Sequence, residues 1–294
     1  MAYAGIIMHI VGELMNDIKY PKIINAILLC LLLIGIQIIG GCIIGLVLNF
    51  LGSTTQSLLY EIGIMIIQVL SFAVVICIGW KKSNTKFNNI FKFKKIPSDF
   101  LIYTIVFSFG LTILSSEIAN IENYIMPMPE KLNDLFNKIF TNQNILLSFI
   151  LVGIIPAFTE EMTFRGLFLT GFTKNYSIRK SIIVGAILFG LIHLNPWQFI
   201  TVFIFGLFSG WIFCETGSIL LCIYIHLFNN TVSLFSARFS NLITIKGFNS
   251  DYKIPVQFQP WWFDAIGIML SLIGFILLKK AINKRIRTWP AMCQ

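Results

Sequence analysis

About eight apolar stretches follow one another along this chain of 294 residues, and they restrict it to one kind of architecture. Crossing a bilayer as a helix takes roughly 20 predominantly apolar residues. Lipid offers the backbone no hydrogen-bond partners, so such stretches span as helices that satisfy their own N–H and C=O groups. The pattern predicts spans near Ile24 to Phe50, Leu58 to Trp80, Phe100 to Ala119, Ile145 to Thr170, Ser181 to Leu194, Trp197 to Cys214, Ser218 to Phe235 and Trp261 to Leu278. The fifth is short for a full crossing. Charged residues make up 12% of the chain, against about a quarter in a soluble domain. The expected fold is all-α, a polytopic membrane bundle of about eight transmembrane helices.

Residues 1–23 read as an N-terminal segment lying at the membrane interface: Met1 to Ile10 lacks the basic leader of a secretory peptide, and Glu13, Asp17 and Lys19 suit an amphipathic helix. Residues 24–294 are read as a single transmembrane domain, with its motif-bearing core at 145–235. Lysines and arginines gather after the second span (Lys81, Lys82, Lys86, Lys92, Lys94, Lys95), after the fourth (Lys174, Arg179, Lys180) and in the tail (Lys279, Lys280, Lys284, Arg285, Arg287). The positive-inside rule makes all three cytoplasmic, and an even number of spans then puts both termini there as well. Topology and anionic lipid account for the net charge of +9 without nucleic acid as a partner. The composition looks bacterial, which places the chain in the inner membrane. The six cysteines are scattered and read as packing residues. Cys293 stands two positions from the end and so does not make a C-a-a-X prenylation signal.

Three polar clusters interrupt the apolar runs. The first is Glu160, Glu161 and Arg165, inside the fourth span. Glu161 and Arg165 are four apart, share a helix face and can pair. Glu160 lies about 100° around the helix and is left free to take and return a proton. Intramembrane charges are costly and normally face a protein interior or a wet cavity. The second cluster is Phe189-x-x-x-His193 on the fifth helix, and the third is His226-x-x-x-Asn230 on the seventh. Each of the three, taken alone, could brace neighbouring helices. Taken together they concentrate two of the chain's 3 histidines beside intramembrane glutamates.

In that order, on successive hydrophobic segments, these motifs resemble the E-E-x-x-x-R, F-x-x-x-H and H-x-x-x-N/D set of the CAAX protease and bacteriocin-processing (Abi) family of intramembrane proteases. That family includes the type II CAAX prenyl endopeptidases. The resemblance covers roughly Ile145 to Phe235. It implies that Glu160 is the general base with His193 beside it, that His226 and Asn230 hold the tetrahedral oxyanion, and that Glu161, Arg165 and Phe189 support them. The implied reaction is hydrolysis of a peptide bond by activated water. The implied substrates are prenylated protein tails or bacteriocin-type leader peptides, met in a lipid environment.

Cofactor and role each have an alternative. No cofactor is required by the glutamate mechanism, but Glu160, His193 and His226 are also a plausible zinc set, since catalytic zinc takes three protein ligands and a water. The H-E-x-x-H arrangement of soluble zinc proteases is absent from the chain. The chain could instead be a non-proteolytic immunity or scaffold protein that keeps the family bundle to bind a partner. A proton-coupled transporter would show an internal repeat, and none is visible in the sequence.

Overall fold

A computed structural model describes residues 20–52, 58–134, 144–239, 242–248 and 256–288. Most of the N-terminal segment expected to lie at the interface falls outside the described residues. The described chain is an assembly of eight long or medium helices: α1 (Ile23–Phe50), α2 (Leu58–Ser83), α3 (Ser98–Ile125), α4 (Ile145–Asn175), α5 (Ile178–Leu191), α6 (Pro196–Thr216), α7 (Ile219–Arg238) and α8 (Trp261–Thr288). All but α5 are long and apolar enough to cross a membrane. The chain is a multi-pass membrane protein.

The breaks follow local chemistry. Asn195 caps α6 by accepting from the Trp197 amide, and Pro196 occupies the first helical turn, where its missing N–H costs nothing. Gly217 ends α6 at φ 60°, a left-handed conformation that glycine adopts without a Cβ penalty. The expected fifth span, Ser181 to Leu194, differs from α5. The helix starts earlier, at Ile178, and stops at Leu191 because the chain turns through Ile192 to Asn195, with Leu194 at φ 50°. Its 14 residues rise about 21 Å, against a hydrocarbon core of about 30 Å. His193 therefore lies in the turn beyond α5, one residue past the end cap, rather than on the helix itself.

Packing is closest where side chains are smallest, as expected for helices in lipid. α3 and α8 meet at Gly110, where an added Cβ would stand 2.4 Å from the Ser271 amide nitrogen, and at Gly274, where it would stand 2.5 Å from that of Phe107. The α1–α2 hairpin is peripheral: Leu46 and Phe50 point outward, while Gly79 of α2 admits Leu167 of α4. α4 runs through the middle of the remaining helices, and the polar clusters gather around it.

Candidate active site

α4 is not a uniform helix. It is α-helical over Ile155–Glu161 but π-helical over Phe149–Ile154 and Met162–Leu169, so wider turns flank the two glutamates on both sides. Such π segments are frequent at functional sites. Pro156 contributes to the irregularity: it has no N–H to give the carbonyl four residues earlier, that of Val152. Asn230 of α7 supplies the missing donor, its Nδ2 standing 2.8 Å from the Val152 oxygen. One of the two Asn230 N–H groups is thereby committed to α4.

Glu161 is fully buried and fully partnered. Its Oε1 pairs with Arg165 Nη1 at 3.1 Å and accepts from His226 Nδ1 at 2.9 Å, while its Oε2 accepts from Ser209 Oγ at 2.9 Å. Arg165 in turn lies 4.5 Å from the centre of the Phe189 ring, a cation–π placement. Phe189 is the hub of the cluster. Its ring meets those of Phe164, His193 and His226 edge-on, at 5.1, 5.1 and 5.9 Å between centres. The Phe189-x-x-x-His193 spacing thus joins a packing centre to an imidazole.

Glu160 differs from its neighbour. Its Oε2 is buried and accepts no hydrogen bond. Two imidazoles converge on it, His193 Nε2 at 4.0 Å and His226 Nε2 at 3.9 Å. Both rings are oriented by their other nitrogen. His193 Nδ1 lies 2.8 Å from the Phe189 carbonyl, which can only accept, so Nδ1 carries a proton. His226 Nδ1 likewise donates to the Glu161 carboxylate. Each Nε2 is then left to face Glu160.

Glu160, His193, His226 and Asn230 line one cavity of about 420 Å³, within the range of small-ligand sites. Sequence reasoning missed several of its walls. Thr112, Ser116 and Asn229 line it, and Thr112 Oγ1 donates to Asn229 Oδ1 at 3.4 Å. Ser209, the third partner of Glu161, was missed too. A lone hydroxyl or amide in an apolar helix reads as packing, and only Asn229, beside the His226 motif, carried a sequence signal.

Glu160, His193 and His226 are the alternative zinc set, and their donor spacing bears on it. Tetrahedral ligands at about 2.0–2.1 Å from zinc stand roughly 3.4 Å apart. The two glutamate–imidazole separations are wider, at 4.0 and 3.9 Å. Among the described residues no group of three His, Cys, Asp or Glu is arranged to hold a metal ion. As placed, the three donors stand about half an ångström wider than zinc ligands do.

Fold and site together define a class: a polytopic helical membrane protein with a carboxylate and two imidazoles set around a cavity inside its bundle. Residues 142–232 match the family model described as type II CAAX prenyl endopeptidase Rce1-like, a family of proteases. The matched region begins just before α4 and ends within α7, so it takes in all three motifs and agrees with the resemblance they carry. No curated protein and no solved structure matches the chain.

Proposed function

We propose that this protein is an intramembrane endopeptidase that hydrolyses a peptide bond with water activated by Glu160. The observation that carries the proposal is the pair of oriented imidazoles facing a carboxylate oxygen that has no hydrogen-bond partner. A water held between them gives one proton to Glu160, and its oxygen bonds to the scissile carbonyl carbon as the C=O electron pair moves onto oxygen. His193, its Nδ1–H fixed on the Phe189 carbonyl, orients that water. The oxyanion is held by His226, donating through Nε2 when that atom is protonated, and by the second N–H of Asn230. Collapse of the intermediate breaks the C–N bond, and the proton on Glu160 passes to the leaving amine. No metal takes part. Glu161, braced by Arg165 and Ser209, positions His226. The substrate class is a prenylated CAAX-type tail or a bacteriocin-type leader peptide, cleaved at the membrane of a bacterial cell.

The test is cleavage by the purified protein in lipid, offered prenylated and unprenylated peptides, beside Glu160→Gln. Cleavage by the wild type that drops about 10²- to 10⁴-fold in the variant supports the proposal. A folded wild type that cleaves nothing, or a biological activity that survives Glu160→Gln, supports the immunity or scaffold reading instead.

A further inference from the structure

Resting on the proposed hydrolysis, we infer that the cavity admits its substrate from the face of the membrane opposite the basic loops. Of the two substrate classes proposed above, this access selects a leader-type peptide presented at the extracytoplasmic side over a prenylated tail held at the cytoplasmic leaflet.

Contacts in the bundle define its two ends. At one end the basic segments come together. The Lys92 carbonyl accepts from the Ile219 amide at 3.0 Å and the Lys94 carbonyl from Ser218 Oγ at 2.9 Å, which joins the loop before α3 to the α6–α7 corner. Arg285 of α8 pairs with Asp99 at the start of α3 at 3.1 Å. Gly171 abuts Pro21, which brings the entry to α1 beside the end of α4 near Lys174. At the other end, Trp197 Nε1 donates to the Met126 carbonyl, Asn120 Nδ2 donates to that of Gly247 at 2.8 Å, and the Gln259 amide donates to Glu117 at 2.9 Å.

The cavity belongs to this second end. It takes the C-terminal halves of α3 and α5, the N-terminal halves of α4 and α6 and the C-terminal part of α7, and its walls reach Ser116, Ala119 and Trp197. Side-chain exposure grades the same way: 24% for His193, 9% for Glu160, 6% for His226, 3% for Arg165 and 0% for Glu161. Beyond Glu161, toward the basic end, the interior is closed by Phe164, Phe168, Phe172, Phe91, Ile212 and Ile219, each at most 2% exposed. The hollow half of the bundle, with Glu160 at its inner limit, thus lies at one end, and a packed wall of phenylalanines and isoleucines fills the other. The positive-inside rule assigns the wall to the cytoplasm.

Single cysteines test this in a chain whose native cysteines are replaced by serine or alanine. A membrane-impermeant maleimide is applied to right-side-out vesicles. Gln198→Cys on the cavity wall and Glu130→Cys in the loop after α3 should label from outside, and Asn89→Cys in the basic loop only after permeabilisation. The inference is overturned if Gln198→Cys labels from the same side as Asn89→Cys, if Asn89→Cys labels from outside, or if Gln198→Cys reacts only after denaturation. Should the replaced chain fail to accumulate, the same substitutions in the native background, with the labelled sites mapped by mass spectrometry, read the same outcomes. No cleavage is measured, so a catalytically dead protein would refute the hydrolysis and leave the access route standing.

Discussion

Glu160 and Glu161 are neighbours in sequence and opposites in environment, and that contrast makes two predictions. Glu161 has three side-chain partners, whereas the Oε2 of Glu160 has no hydrogen-bond partner. Glu160→Gln should keep the wild-type unfolding midpoint in detergent while removing cleavage. Arg165→Met should do the reverse in order of severity. Removing one member of a buried ion pair costs about 3–5 kcal/mol, read as a clear fall in midpoint, with lost activity following from a displaced His226. Metal is a separate question at this scale. The proposed mechanism uses no metal, so activity should survive exhaustive chelation, and elemental analysis of active protein should find less than one metal per chain. The pairing of Glu161 with Arg165 could be read from their spacing alone. Ser209 could not, because it reaches Glu161 from another helix across 48 positions of sequence.

At the scale of elements, the Pro156–Asn230 relation is the testable one. Asn230→Ala leaves the Val152 carbonyl without its donor, a loss of about 1–3 kcal/mol for a buried group. Pro156→Ala restores a backbone N–H beneath that carbonyl. The loss caused by Asn230→Ala should therefore shrink in the Pro156→Ala background, and thermal unfolding of the four proteins of this double-mutant cycle measures it. Gly110→Leu should separate α3 from α8, because its side chain would enter the Ser271 backbone; loss of the folded, monodisperse protein in detergent is the expected readout. Helix positions were legible from the apolar runs, least so at the short links Asn195-Pro196 and Glu215-Thr216-Gly217, where the structure does break between helices. The π segments of α4 were not, since they change hydrogen-bond pairing without changing the apolar run. The end of α5 was misplaced because Ile192 and Leu194 continue the apolar pattern while the backbone has already turned.

On the scale of the whole molecule, order along the chain placed the three motifs on the fourth, fifth and seventh helices, and only the family resemblance implied that they meet in one cavity. Their convergence depends on α4 lying among the others and on Phe189 joining Arg165, His193 and His226. No local pattern carries that information. Nor did apolar content alone reveal that one half of the bundle is hollow and the other filled. The phenylalanines that fill it, Phe164, Phe168 and Phe172, recur at helical spacing along α4 and read as ordinary core. Their placement matters beyond packing. A bilayer that stores energy as an ion gradient cannot host an open aqueous column, yet the proposed hydrolysis needs water at mid-depth. With the proposed hydrolysis, stoppering the bundle on one side with aromatic rings would let the protein carry a reactive wet chamber while remaining an electrical insulator.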